Sequence, residues 1–312
     1  MSRSFVVKLE SYHYKWSKKH KPVLHIRPGD EVVFEISDVT SNQMTKRSTV
    51  EDLMKVDESK LYPLAGPVFV EGASSSDTLL VDVVRVKTAD WGYSPIIPGF
   101  GLLDGFDTPY LFKWELPNNA YAHFKNGIRV CLKPFCGTMG VAPKEVGFID
   151  ARPPGYHGGN MDIKHLTAGS ILKLPIWTEG ALFSAGDMHA AQGDGEVCGT
   201  AIECPGEVTL RFDLEKNRKL GTPQYLTPGE PQSKRGYVTT IGIAPDLMAA
   251  SKEAVENMVR YLANEYELTR QEAYVLCSVA ADLRIHELVD RPNWVVGMMI
   301  SRDLFPSEKV KR

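Results

Sequence analysis

Along the first two thirds of the chain, apolar positions fall in short alternating or continuous runs that break at Gly, Pro and Asp, the punctuation of β-structure. In residues 207–214, Val208, Leu210 and Phe212 alternate with Thr209, Arg211 and Asp213, turning one face to a core and the other to water or a second layer. Comparable runs predict strands at 67–70, 78–86, 171–177, 181–189 and 197–203. Residues 22–27 and 31–36 flank Pro28-Gly29-Asp30 like the arms of a hairpin, since proline presets φ and glycine accepts a positive one. The period then changes. Over 246–266, Leu247, Ala250, Ala254, Val255, Met258, Val259, Leu262 and Tyr266 recur at helical spacing behind a Pro245-Asp246 cap. A second helix is expected over 269–288, opened by a Thr269/Glu272 capping box and buried through Leu276, Val279, Ala280 and Leu283. Residues 294–300 read as a buried strand. The expected architecture is mainly β with two adjacent helices near the C-terminus. The Pro-, Gly- and charge-rich stretch 216–234 is the expected boundary between a β-rich core, 1–215, and an α+β part, 216–312, and the two can share one hydrophobic interior.

Composition narrows the function more than the fold. The 312 residues carry 36 basic and 39 acidic side chains spread along the chain, for a formal charge of -3, so no footprint for a phosphate backbone exists and nucleic acid is not an expected partner. Residues 1–16 lack a signal-peptide core, and no stretch approaches the roughly 20 apolar residues that span a bilayer. A soluble, cytoplasmic protein with no membrane partner is expected. The five cysteines are odd in number and lack CxxC spacing, which reads as reduced core thiols. Cys136, in Pro134-Phe135-Cys136-Gly137-Thr138-Met139-Gly140, has a nucleophilic alternative, because its Gly-rich setting could place a thiolate beside backbone N–H donors.

The densest group of reactive side chains is Gly186-Asp187-Met188-His189-Ala190-Ala191-Gln192-Gly193-Asp194-Gly195-Glu196, followed by Gly199-Thr200-Ala201-Ile202-Glu203. On an extended chain Asp187 and His189 point to the same face about 7 Å apart, near enough to converge on one ion. Carboxylate plus imidazole suits zinc, while oxygen-rich surroundings would also suit a harder cation such as calcium. Glu203, flanked by Ala201 and Ile202, needs a partner or a metal if buried and is otherwise a solvated outer-face residue. Gln192-Gly193-Asp194-Gly195 reads equally as a hairpin turn. With an even loop there, Ala191 pairs with Glu196 and Glu203 falls on the face opposite Asp187 and His189; an odd loop or a bulge puts all three on one face. A second group runs from Gly155 to His165. Its paired Gly158-Gly159 lets backbone approach a ligand, and Asn160 and Asp162 share a face if a strand continues, offering a donor for an amide oxygen and a carboxylate to manage protons. An Asx-rich turn is the plainer reading. Asp38-Val39-Thr40-Ser41-Asn42-Gln43 is, by chemistry alone, a turn.

Taken in order, these segments resemble the acetamidase/formamidase family over essentially the whole chain. The resemblance rests on Ile36-Ser37-Asp38 with Gln43, Leu64-Ala65-Gly66-Pro67-Val68-Phe69-Val70-Glu71-Gly72-Ala73, the Cys136 segment through Pro143, Gly158-Gly159-Asn160-Met161-Asp162, the run from Gly180 to Glu196, and the run from Cys277 to Ile285. It implies a jelly-roll-like β-sandwich core with a smaller α/β C-terminal part, hydrolysis of a short aliphatic amide such as formamide or acetamide to carboxylate and ammonia, and a divalent metal. It favours roles for Asp187, His189 and Asp162, and adds Asp38 and Gln43. One position departs from the family pattern: Tyr62-Pro63 stands where a His-Pro is expected, so no role is carried to residue 62. The expected metal ligands are therefore Asp187, His189 and Glu203, holding zinc with calcium as the alternative. The expected catalytic residues are Asp162, Asn160, Glu203, Asp38 and Gln43, with Asp162 or Glu203 moving the proton to the leaving nitrogen and Asn160 orienting the amide. The rival nucleophile is Cys136, and the rival function is a non-catalytic metal-bearing β module that binds a small polar ligand. A small amide substrate and a homo-oligomer, taken as a dimer, complete the expected partners.

Overall fold

The Pro28-Gly29-Asp30 turn forms, with Asp30 N donating to Arg27 O at 3.0 Å and Gly29 at φ 89°, but its arms are not a hairpin. In the computed structural model, which describes residues 3–117 and 120–305, the turn hands the chain from one sheet to another. Leu24–Ile26 pairs in parallel with Leu64–Val70, whereas Glu31–Ile36 lies between Ser4–Val7 and Gly206–Glu215. The local turn chemistry was legible; the partner of each arm is a long-range choice that the turn does not encode.

The larger sheet has nine strands in the order Ser4–Val7, Glu31–Ile36, Gly206–Glu215, Thr78–Thr88, Ile171–Pro175, Gln224–Leu226, Tyr237–Ala244, Trp294–Ser301 and Ala281–Glu287. The six-stranded sheet runs Gly158–Asn160, Phe135–Gly140, Phe183–His189, Leu64–Val70, Tyr12–His13, with Leu24–Ile26 off that path. The alternation of Glu31–Ile36 sends Val32, Phe34 and Ile36 inward, and the Phe34, Phe183 and Phe212 rings meet across the two sheets at centroid distances of 5.8 and 5.0 Å. One core cluster thus draws on both sheets, and it continues past residue 216 through Tyr225, Ile241, Ile243 and Val295. Strands hold 39% of the described residues against 15% in helix, so the mainly β expectation stands.

The helix Leu247–Tyr266 starts where expected, its Asp246 cap accepting from Ala249 N at 2.8 Å, and buries Ala250, Ala254, Met258 and Leu262 against Val238, Val296 and Ile300 of the sheet. The Thr269/Glu272 capping box is present. The second helix, however, ends at Ala280, not 288. Ala281–Glu287 is a strand paired with Trp294–Ser301, and the helix buries Ala273 and Cys277 while Val279 and Leu283 face outward. Apolar residues in 276–283 fit a helical stripe, but pairing along the sheet edge overrides that weak local preference. No helix among the described residues is long and apolar enough to cross a membrane.

Candidate active site

Phe135–Gly140 and Phe183–His189 are paired with Phe135 opposite His189, Cys136 opposite Met188 and Thr138 opposite Gly186, which sets Gly137 across from Asp187. Phe183 and Met188 both belong to the core although strict alternation would separate them; the left-handed backbone of Asp187, φ 56°, resets the alternation so that Met188 enters the core and Asp187 lines a cavity. Beyond His189 the expected tight turn at 192–195 and the strand at 197–203 do not form. Instead Ala190 N donates to Ile202 O, Ile202 N donates to Ala191 O, and His189 pairs directly with Glu203 across a wide irregular loop. This register puts His189 and Glu203 on one face.

There the imidazole Nε2 lies 3.2 Å from Asp187 Oδ1 and 3.2 Å from Glu203 Oε2. Gln192 Nε2 donates to the Asp162 carbonyl at 2.9 Å, which leaves its Oε1, 2.9 Å from His189 Nδ1, to accept a hydrogen bond from the Nδ1–H. With Nδ1 protonated, Nε2 aims a lone pair at two carboxylates, an arrangement that demands a positive charge between them: a second proton or a metal ion. Asp187 Oδ1, Glu203 Oε2 and both Asp162 oxygens are buried and have no hydrogen-bond partner among the described residues. Asp187, His189 and Glu203 have the mutual spacing of a ligand set, and Asp162, His189 and Glu196 form a second such group. Because Gln192 already engages Nδ1, the first set is the better cradle. Gly137 keeps it open: a Cβ there would come within 2.4 Å of Asp162 Oδ1 and 3.1 Å of Asp187 Oδ2. These donors fit a divalent ion. Asp162, Asp187 and Glu196 all hold left-handed backbone, φ 48°, 56° and 47°, the kind of conformational cost that gathers where a geometry is imposed for function.

The surroundings are strongly negative. Asp38, Asp162, Asp187, Glu196, Glu203, Glu287 and Asp290 are all buried, faced by one imidazole and by Arg152, which lines the cavity. Burial pushes Asp162 and Glu196 well above the carboxylate range, Glu203 and Asp290 to about 7, and Glu287, helped by Asp290, to about 8. Burial opposes the His189 charge, but Glu203 and Asp187 outweigh it and raise its pKa well above the ordinary value. The acidic cluster of the folded, cation-free chain therefore holds more protons than the same groups do unfolded, so its contribution to stability is full below the ordinary carboxylate range and is lost as pH rises through about 7 to 8, while His13, His157, His165 and His286, depressed by burial to about 3 to 4, oppose it below about pH 6.5. Asp30, held at about 2 chiefly by Arg3, titrates below that window. Chelator-stripped protein is expected to melt several degrees lower at about pH 8.5 than at about pH 7, a range in which those histidines no longer titrate, with added zinc flattening the slope; a melting temperature that climbs over this range in stripped protein would contradict the assignment.

A model of the Acetamidase/Formamidase family matches residues 1–147 and 149–307. The chain belongs to that family. Relatives include a formamidase from Methylophilus methylotrophus, 28% identical over 94% of this chain and 89% of its own length. Among solved structures, an acetamidase from Bacillus halodurans superposes with a TM-score of 0.88 at 31% identity, covering 97% of this chain and 98% of that one. A predicted acetamidase/formamidase from Thermoanaerobacter tengcongensis gives 0.91 at 28% identity, with both chains fully covered.

In this acetamidase/formamidase-family chain the other expected site residues take different places. Asn160 is buried beside the acidic group, its Oδ1 accepting from Thr138 Oγ1 and its Nδ2 donating to Asp290 Oδ2 at 2.7 Å. Asp38 is buried behind Tyr93, accepting from the Tyr93 hydroxyl, from Thr40 Oγ1 and from Asn42 N, so it steers the cavity through that ring. Gln43 lies apart: its amide group bonds the Asp57 backbone in both directions, and it is not among the cavity-lining residues. Asp194 pairs with Lys164 and Arg284 at the surface rather than joining the cluster. The Cys136 thiol faces Met188 Sδ at 3.2 Å in the core, and burial drives its pKa far up. Glu196, Tyr93, Gln192, Glu287 and Asp290 were not expected at the site. Asp290 and Glu287 follow the final helix, and no local pattern marks them. Glu196 did stand in the dense segment, masked by the Gly-rich turn signal before it.

Proposed function

We propose that the chain is a metal-dependent amidase that hydrolyses primary amides to carboxylate and ammonia, with the ion held by Asp187, His189 and Glu203. The reading is carried by one observation: a protonated Nδ1 leaves His189 Nε2 aimed at two partnerless buried carboxylate oxygens, 3.2 Å away on each side. The names of the relatives, formamidase and acetamidase, supply the reaction class. A mixed imidazole and carboxylate donor set suits zinc, which lowers the pKa of a bound water to about 7 and polarises a carbonyl oxygen.

The protein's own residues then have defined tasks. Asp162, whose carboxyl is pushed well above the usual carboxylate range by burial, delivers a proton to the departing nitrogen as the C–N bond breaks. Asn160, fixed by Thr138 and Asp290, has a second amide N–H to orient the substrate. Gln192 locks the imidazole tautomer, and Gly137 leaves room for the Asp162, His189 and Asp187 side chains. Asp38 holds Tyr93 as part of the wall. Ammonia release from a panel of primary amides, with zinc and after chelation, tests the reading: turnover that zinc restores is expected, and turnover indifferent to thorough chelation would defeat the metal assignment.

A further inference from the structure

The cavity at the acidic group has a volume of about 360 Å³ and is lined by two unlike sets of residues. Asn160, Asp162, Asp187, Glu196, Glu203 and Asp290 form the polar set, each of them buried. The same lining carries an apolar set, Leu53, Val56, Leu61, Ile97, Pro98 and Phe100, with Glu58 and Arg152 also present. Leu53 and Val56 are packed into a small cluster with Met44 and Tyr93, and the Tyr93 hydroxyl is tied to Asp38, so this wall is anchored from behind. At roughly 30 Å³ for each water-sized atom, the space takes about twelve, of which acetamide would occupy about a third and formamide about a quarter. A short amide would leave the apolar walls facing water, whereas pockets of this size and lining ordinarily surround a larger, mostly apolar ligand.

Resting on the amidase reading above, we infer that the preferred substrate is a primary amide with an apolar acyl group of about five to eight carbons, its carboxamide at the acidic group and its tail between Leu61 and Phe100. The reaction is unchanged: water oxygen bonds to the acyl carbon, the C–N bond breaks and ammonia leaves. What changes is where selectivity originates. Each methylene withdrawn from water adds about fourfold to kcat/KM until the tail fills the cavity.

The test is kcat/KM by ammonia release for the straight-chain amides from formamide to octanamide, using zinc-replete full-length protein. Hexanamide is expected to exceed acetamide by on the order of a hundredfold. Leu61→Trp, which narrows the tail space, is expected to move the optimum to shorter chains, and Phe100→Ala to move it to longer ones, with melting curves confirming that each variant folds. A profile that peaks at formamide or acetamide overturns this inference and leaves the amidase reading intact. An optimum that stays put in whichever of the two variants folds overturns it as well. Ammonia from no member of the series removes the amidase reading and this inference with it.

Discussion

His189→Ala is expected to lower turnover by at least about a thousandfold and to leave the purified protein without stoichiometric zinc. The imidazole is the one nitrogen donor in the proposed set, and it is fixed from behind by Gln192, so its loss would remove both the proposed ligand and the group that separates Asp187 from Glu203. Those two carboxylates would then face each other with no cation between them, which favours a proton on one of the pair. Elemental analysis and ammonia release on the same preparation decide the matter. Full zinc occupancy in His189→Ala would place the ion elsewhere, with the Asp162, His189 and Glu196 group excluded by the same result.

Asp162→Asn is expected to keep the ion and the substrate affinity while losing about 10² to 10⁴ in kcat. The replacement has the same shape beside Asp290 and His189 but carries no carboxylic proton to transfer. Its backbone carbonyl, which holds Gln192, is untouched. Cys136→Ser is the comparator. Its thiol is turned toward Met188 in the core, so turnover within a few-fold of the parent is expected, provided the melt shows a folded protein. The opposite pattern, with Asp162→Asn active and folded Cys136→Ser dead, would replace the proposed chemistry with direct thiolate attack.

How much of this could be read from the sequence follows from the range of each interaction. The Asp187/His189 pair was legible because two residues of one strand share a face, and the helix at 247–266 because its whole stripe is local. Glu203 was legible as a donor type but not as a neighbour, since Gln192-Gly193-Asp194-Gly195 imitates a tight hairpin while the actual loop detours to pair Gly195 with Glu287. That detour is made by contacts almost a hundred residues apart, as is the bond from Asn160 to Asp290, 130 residues away. Tyr93 offered no signal at all: it becomes part of the site only because Asp38, 55 residues earlier, receives its hydroxyl. The strand at 281–287 was hidden for the same reason, as its identity depends on the neighbouring Trp294–Ser301 more than on its own residues.

The left-handed backbone at Asp162, Asp187 and Glu196 sets stability against activity at the same positions. Glycine at any of the three would relieve a local cost of about 1 kcal/mol or more and would also remove a buried acid. Laboratory evolution that rewards heat tolerance alone would therefore find some of its easiest gains in chains that no longer turn over amide. Durable improvement of this enzyme has to be selected through ammonia release, or sought in the exposed loops where the backbone carries no such conflict.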